Sequence, residues 1–172
     1  MSKAVIDALV ERFPEAVYDP YVGVGGDDCA FVRKERIVEV CRFLKQERGF
    51  DMAPYVTAVD YLGQDPRFEV VYNLYATKAN ERVRLRVKVS EQDCTIPTVT
   101  SVWRGADWFE RYCFDMYGIR VEGHPDPRRL LMYEEFVGHP LRKDYPLKGR
   151  QPLLEEREVR DIFRGPGPAN RD

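Results

Sequence analysis

The chain has 172 residues, of which 44% are hydrophobic and 33% are charged, with a formal net charge of −2. This length and apolar content predict one compact domain with a tail, and the balance of charge excludes a general attraction to nucleic acid or anionic lipid. No apolar run approaches the ~20 residues of a membrane helix. The start of the chain lacks the features of a signal peptide, so a cytoplasmic protein is predicted.

Two helices and a hairpin are predicted in the first part of the chain. Apolar residues at helical spacing follow Ser2, which can cap a first helix that Pro14 ends. The stretch VYDPYVGVGGDDCAFVR predicts a hairpin. Its GVGG segment is a weak candidate for a phosphate-binding loop, because a strand-like segment follows it where a helix is needed. A second helix is predicted over 34–48 and ends at Gly49.

Three strands are predicted next, over 55–62, 67–77 and 82–89, joined as an antiparallel meander. The third strand alternates apolar residues with Arg82, Arg84, Arg86 and Lys88, so one sheet face is apolar and the other is basic. A solvated face is the simpler interpretation. A strip that binds an acidic protein or RNA is the alternative, although no strand carries the paired aromatic residues on which RNA-binding sheets stack bases.

A third helix is predicted over 104–117. Arg111 lies four residues from both Asp107 and Asp115, so ion pairs along the helix are expected. Apolar and aromatic residues cover about half of the circumference, more than an ordinary surface helix shows. The helix is therefore expected to be covered on two sides, by its own sheet and by either the C-terminal segment or another chain.

The two histidines lie in similar loops, GHPDPRR at 123–129 and GHPLRKD at 138–144. Glycine permits a positive φ and proline keeps the preceding histidine extended, so each loop is a stiff bend. Four interpretations are open: solvated turns, a polar network that fixes the loops and a partner chain, a two-histidine metal site, and acid–base catalysis. The polar network is favoured, because no local spacing supplies a third metal ligand and no nucleophile pattern accompanies the histidines.

Cysteine spacing and the end of the chain complete the prediction. The four cysteines lie far apart without a C-x-x-C pair, so neither a disulfide framework nor a zinc or iron–sulfur site is predicted. RRLLMY at 128–133 can add a short strand, and YEEFVG a turn of helix. We therefore predict an α+β domain over 1–137, with a mixed, mainly antiparallel sheet and about three helices. An extended proline-rich arm over 138–172 is expected to dock on a partner protein, since its scattered apolar residues cannot form a core of their own.

The segment ADWFERYCFDMYGIRVEGHPDPRRLL, followed by GHPLRKDYPL, resembles the 30 kDa subunit (the C subunit) of bacterial proton-translocating NADH–quinone oxidoreductase, respiratory complex I. Tyr112 stands where the family signature has a second glutamate. The resemblance is specific across about 97–147. The signature residues matched in register are Glu110, Arg111, Asp115, Met116, Tyr117, His124 and Arg128.

The resemblance implies a peripheral-arm subunit on the cytoplasmic side of the bacterial inner membrane, packed against the large subunit of the 49 kDa type. The complex passes electrons from NADH through FMN and iron–sulfur clusters to quinone and translocates protons. Those cofactors are expected in partner subunits, and this chain is expected to bind no cofactor, metal or nucleic acid, to reach the membrane only through the complex, and to be non-catalytic alone.

A set of residues from the signature and the second loop is predicted to form the partner interface. A stand-alone module that binds RNA or an acidic protein through the basic strip of the third strand remains the alternative. The predicted interface residues are Glu110, Arg111, Asp115, His124, Arg128, Arg129, His139, Arg142, Lys143, Asp144 and Tyr145.

Overall fold

The computed structural model describes residues 3–151 of the chain. These residues form three α-helices, a short 3₁₀ turn that leads into the second helix, and seven strands. In chain order the helices and strands are α1 Lys3–Arg12, β1 Val17–Val22, β2 Asp28–Val32, α2 Ile37–Arg48, β3 Met52–Asp60, β4 Phe68–Ala76, β5 Glu81–Val89, β6 Thr95–Pro97, α3 Ala106–Tyr117 and β7 Arg120–Glu122.

Five strands form the main sheet in the order β1-β2-β5-β4-β3. Neighbouring strands are antiparallel except β2 and β5, which run parallel with Asp28 opposite Val83. The strands β6 and β7 form a separate parallel pair. The hairpin, the meander and the mixed, mainly antiparallel α+β class that the sequence predicts are confirmed.

The hydrophobic core lies between one face of this sheet and the helices. Alternate residues of β4 and β5, including Phe68, Tyr72 and Leu85, are buried there against apolar side chains of α1, α2 and α3. Each large apolar side chain buried in this way stabilises the fold by about 1.5–3 kcal/mol. The basic side chains of β5 point to the opposite face, as the alternation in the sequence predicts.

The second cover of α3 is the chain's own C-terminal loop region. Leu141 donates its backbone N–H to the carbonyl of Met116 at 3.1 Å, and the backbone N–H groups of 130–132 all turn toward α3. This confirms that α3 is covered on two sides. None of the helices formed by residues 3–151 is long and apolar enough to cross a membrane.

Two local predictions are corrected by the structure. The third helix begins at Ala106 instead of 104, because Val102 and Trp103 both donate their N–H groups to the carbonyl of Val99 in a preceding turn. The segment at 128–133 forms no strand, because its backbone N–H groups bind the Asp115 carboxylate and are not available to a neighbouring strand. The predicted turn that follows is present, with Phe136 donating to the Tyr133 carbonyl at 3.1 Å.

The first part of the predicted arm packs on the domain. Lys143 donates its backbone N–H to Asp60 at the end of β3, at 2.8 Å, and Asp144 forms an ion pair with Arg67 at 2.8 Å. Residues 138–151 thus contact the domain, because the buried charges Asp60 and Arg67 at the sheet edge bind groups of this segment. The Ser2 cap and the part of the arm over 152–172 lie outside the described residues, and docking of the arm on a partner stays a prediction.

We predict that Gly118→Ala destabilises the domain more than Gly49→Ala. Both glycines end a helix with φ near +75°, at 75° and 72° respectively, a conformation that costs other residues about 1–2 kcal/mol. A Cβ at Gly49 meets open space, whereas one at Gly118 lies 2.6 Å from the His139 ring. Such overpacking adds about 1–3 kcal/mol. Urea unfolding of the full chain measures both losses, and equal losses would contradict the prediction.

Candidate partner interface

The carboxylate of Asp115, near the C-terminal end of α3, is fully buried. Its Oδ2 accepts hydrogen bonds from the backbone N–H groups of Leu130 at 3.1 Å, Leu131 at 2.7 Å and Met132 at 2.9 Å. Nη1 of Arg129 donates to Oδ1 at 2.7 Å. Both oxygens are therefore satisfied, and the loop over 129–132 is wrapped around one ionised side chain.

The pKa values of the two buried acids of α3, Asp115 and Glu110, are shifted in opposite directions. Burial alone would raise the pKa of Asp115, but the three backbone N–H groups and Arg129 outweigh it and hold this pKa below its usual range. Burial raises the pKa of Glu110, even though the Thr98 hydroxyl and the Val99 N–H donate to its carboxylate at 2.6 and 2.7 Å. Asp115 thus anchors the C-terminal loops, and Glu110 anchors the turn that precedes α3.

Arg129 extends the anchor from α3 to the second Gly-His-Pro loop. Its Nη2 donates to the carbonyls of Phe136 at 3.0 Å and Gly138 at 3.2 Å, and its guanidinium carbon lies 5.8 Å from the centre of the Phe136 ring. In the same loop, Nδ1 of His139 lies 3.0 Å from the backbone carbonyl of Asp115. One arginine and one histidine therefore connect the two loops to the same turn of helix.

Arg111 forms neither of the ion pairs along the helix that the sequence predicts. Its Nε donates to the carbonyl of Arg128 at 3.0 Å and its Nη2 to that of Arg129 at 2.9 Å. The correction has a physical reason: the first loop crosses above α3 and presents carbonyls that need a donor, so the side chain turns away from Asp107 and Asp115. Arg111 is a second clamp on the same loop.

The His124 side chain is held in place within the first loop. It is 2% exposed, and its Nδ1 accepts the backbone N–H of Asp126 at 3.0 Å. Its Nε2 lies 3.2 Å from the backbone carbonyl of Asp107 and carries a proton in the tautomer that accepts at Nδ1. Asp126 also pairs with Arg111 at 3.3 Å. Within residues 3–151 no group of three His, Cys, Asp or Glu side chains is placed to hold a metal ion.

A second buried ion cluster, missed by the sequence analysis, holds the far end of the loop region. Arg67 is 3% exposed and binds Asp60 through two hydrogen bonds of 2.9 and 2.8 Å. Its guanidinium also donates to Glu91 at 2.5 Å and to Asp144 at 3.0 Å. In the sequence, Arg67 looks like any charge beside a strand, so no local pattern marks it as buried.

The other predicted interface residues also have partners within the chain. Nε of Arg142 donates to the carbonyl of Tyr117 at 2.6 Å, and the Tyr145 ring stacks on Phe136 with centroids 6.0 Å apart. Arg128 pairs with Asp126 but its side chain is 74% exposed. The structure thus brings the predicted set together around α3 and the sheet edge, and a role of these residues toward a partner stays a prediction.

Tyr112, which replaces the glutamate of the signature, takes part in packing. It is half-buried against the hydrophobic core, and its ring meets that of Tyr117 edge-on with centroids 6.5 Å apart. The buried acids of α3 are then Glu110 and Asp115.

Exposed apolar side chains lie on α3 and on the loops that cover it, and we call this set the loop face: Trp108, Leu131, Val137 and Leu141, with exposed fractions of 63%, 60%, 68% and 43%. Exposed apolar residues that lie together mark protein–protein contact surfaces, and tryptophan is one of the residues that contribute most to binding energy there. The buried charges beneath these side chains bind the chain's own loops, so the fold and the site define an α+β domain whose C-terminal loops are held in place by ionic anchors.

Comparison with known proteins gives this class a family. Residues 30–151 match the family described as respiratory-chain NADH dehydrogenase, 30 Kd subunit, and the chain belongs to this family. It is 52% identical over 148 residues to the C subunit of NADH-quinone oxidoreductase of Geotalea uraniireducens, covering 86% of this chain and 89% of the relative. The same subunit of Geobacter sulfurreducens is 47% identical over 149 residues, with coverage of 86% and 91%. The resemblance seen in the sequence is confirmed.

Two solved structures have the same fold. A trypsin-resistant fragment of Nqo5 matches with a TM-score of 0.65 and 30% identity, over 73% of this chain and 98% of the fragment. A chain of the membrane-bound sulfane sulfur reductase, an archaeal respiratory membrane complex, matches with a TM-score of 0.70 and 21% identity, over 86% of each chain. The second match supports the fold alone.

We predict that Asp115→Asn destabilises the domain by about 3 kcal/mol, because it leaves the Arg129 guanidinium without its counter-charge and turns an amide donor toward it. Asp7→Asn, at an exposed position of α1, is the matched control and is expected to change stability by less than about 0.5 kcal/mol. Urea unfolding at neutral pH measures both. A loss for D115N no larger than that for D7N would contradict the anchoring role.

The contribution of Asp115 to the free energy of unfolding is expected to fall at acidic pH. The folded-state pKa lies below the unfolded value of about 3.9, so the stabilisation is complete above about pH 4. It is lost as the pH falls further, through the folded-state pKa. The stability difference between the wild type and D115N is therefore expected to narrow in urea titrations below about pH 4. A difference that stays constant throughout this acidic range would show that Asp115 is not ionised in the folded protein.

We predict that Arg67→Ala costs about 3–5 kcal/mol, because Asp60 is left as a buried charge without a counter-charge. Asp144→Ala is expected to cost less than about 1 kcal/mol, since its carboxylate is 49% exposed. Arg36→Ala removes an exposed pair with Glu39 and serves as the arginine control. Urea unfolding ranks the three variants, and an R67A loss as small as that of R36A would place the Arg67 cluster in solvent.

Proposed function

We propose that this chain is a structural subunit of the peripheral arm of NADH–quinone oxidoreductase, in which it docks other subunits and performs no electron transfer itself. One observation carries the proposal: the buried Asp115 and Arg67 and the partly buried Arg129 bind loop segments of the same chain. The loop face is thereby held in one conformation while its apolar side chains stay exposed.

A fixed loop face is suited to binding a partner protein. A loop that is already ordered loses less conformational entropy when it binds, so more of the contact energy appears as affinity. The Arg111 guanidinium carbon lies 5.7 Å from the centre of the Trp108 ring. Tryptophan and arginine are among the residue types that most often dominate binding energy at interfaces. The large subunit of the 49 kDa type is the proposed partner on this face.

The wider function is that of the complex. NADH donates electrons that pass through FMN and iron–sulfur clusters, held by other subunits, to quinone, and this transfer is coupled to proton translocation. The names of the relatives, C subunits of NADH-quinone oxidoreductases, support this assignment. The chain is proposed to bind no cofactor, to lie on the cytoplasmic side of the bacterial inner membrane, and to be held there by its partner subunits.

The alternative function, a stand-alone module that binds RNA or an acidic protein through the basic strip, loses support from the structure. Arg84 is paired with Asp27 at 2.8 Å, and Arg86 is paired with Glu69. Half of the strip is therefore neutralised within the chain, whereas nucleic-acid binding needs cations that are free to displace counterions from phosphates.

The proposed function predicts that Val137→Asp releases the chain from its complex. A tagged full-length chain is expressed in its own bacterium and recovered from detergent-solubilised membranes. The wild type is expected to bring down the other subunits with NADH–quinone activity, and V137D to lower both at least about tenfold, because a carboxylate is desolvated at the contact. Leu62→Asp, at another exposed apolar loop residue (50% exposed), is the control and is expected to keep both.

The outcomes separate the parts of the proposal. A wild-type chain that recovers no oxidoreductase subunit would overturn the function itself. A V137D variant that still assembles with full activity would leave membership of the complex intact and remove the loop face from the contact. Circular dichroism and urea unfolding of V137D exclude misfolding as the cause of a loss.

A further inference from the structure

The face of the main sheet that points away from the helices carries aromatic and basic side chains. We call it the open sheet face. The hydrophobic core and the described helices that pack on it lie on the other side of the sheet. The face includes Phe31, Tyr55 and Tyr75, the four basic residues of β5, and Glu69, Val71 and Asn73 of β4.

The four cations of this face fall into two pairs. Arg84 and Arg86 are half-buried and have partners within the chain. Arg82 and Lys88 are exposed, and neither forms an ion pair with a carboxylate in residues 3–151. The described part of the chain therefore leaves positive charge at both ends of β5.

A cavity of about 330 Å³ lies at the Arg82 end of the open sheet face. It runs across β3, β4 and β5, and the residues that line it include Tyr55, Asn73, Tyr75, Arg82 and Arg84. Asp27 also lines it, but its carboxylate is bound to Arg84 at 2.8 Å. Arg82 thus remains as the cation available to a ligand.

Asn73 adds a hydrogen-bond donor to this cavity wall. Nε of Arg84 donates to its Oδ1 at 2.9 Å, which fixes the orientation of the amide, because an N–H cannot donate to the amide nitrogen. The Nδ2 group is then sheltered from solvent with no hydrogen-bond partner among the described residues. A buried donor without a partner costs about 1–3 kcal/mol. An acceptor from a ligand would remove this cost once a side chain that lines the cavity moves aside to admit it.

We propose that this cavity binds the carboxylate of an aspartate or glutamate side chain from a neighbouring protein subunit. Arg82 and the amide of Asn73 supply the charge and the hydrogen bond, and the rings of Tyr55 and Tyr75 shield the pair from water. The identity of the neighbour as a subunit of the same complex rests on the proposed function. The open sheet face is then a second docking surface, separate from the loop face.

The contacts of the aromatic rings on this face favour a protein over RNA as its ligand. The Phe31 ring has Lys88 Nζ at 4.9 Å and the Arg86 guanidinium carbon at 5.4 Å from its centre, and it stacks with Tyr18 at 5.7 Å. The Tyr75 ring has Arg82 at 5.4 Å. Single-stranded nucleic acid needs free ring faces on which bases can stack, and these faces are already occupied by the chain.

A carbodiimide, which joins an amine to a carboxylate in direct contact, tests the proposal in the assembled complex. Arg82→Lys keeps the charge and supplies an amine, and Arg42→Lys does the same at an exposed position of α2 on the other side of the sheet. The tagged complexes are treated in detergent and digested for mass spectrometry. R82K is expected to be joined to an Asp or Glu of another subunit, and R42K not to be joined at that acid.

Charge reversal gives a second readout. Arg82→Glu is expected to speed dissociation of the chain from the complex at least about tenfold, as loss of a paired charge at an interface does, and Arg42→Glu to leave it unchanged. Complexes that form normally but show no R82K crosslink and no effect of R82E would overturn the cavity proposal alone. A wild-type chain found in no complex would overturn the proposed function first. Crosslinking of the open sheet face to RNA in cells would show that the ligand is a nucleic acid.

Discussion

The path of the loop that follows α3 depends on one buried carboxylate. Asp115 sits inside the domain with no solvent contact, and an ionised carboxylate is tolerated there only when several donors surround it. Three consecutive backbone N–H groups and Arg129 provide those donors. The loop that supplies them cannot move away without leaving the charge unsatisfied, so a segment with little regular structure has a single defined position.

The Arg67 cluster applies the same constraint at the edge of the sheet. There the buried charge is a cation, and carboxylates of β3 and of the loop region surround it. Removing the charges of both clusters from water costs free energy, and well-packed apolar residues could stabilise a domain equally well. The ionic clusters differ in specificity: their hydrogen bonds join particular atoms and so fix the position of a loop, whereas apolar contacts alone allow it to shift. A subunit that must match a partner surface gains from that specificity.

The helices and strands could be predicted largely from local pattern. Strict alternation in β5, with Val83 and Leu85 on one face and Arg82 and Arg84 on the other, gives both the strand and its buried side. Alternation does not indicate which strand is the neighbour, so it does not predict the parallel pairing of β2 with β5. The site shows the same limit. Asp115 belongs to the signature, and helical spacing predicts Arg111 as its partner. Its partners in the structure come instead from a loop whose path the sequence does not encode locally.

The place of β5 in the sheet has a consequence for biosynthesis. β2 leaves the ribosome early, yet its partner β5 follows only after α2, β3 and β4. During translation the β1–β2 hairpin therefore lacks its neighbouring strand. An isolated hairpin is only marginally stable, and the apolar face of this one has no sheet to pack with. Contacts between distant parts of a chain form slowly. The nascent protein thus exposes the unpaired edge of β2 until β5 emerges, a period in which a chaperone can bind it or a second nascent chain can mispair with it.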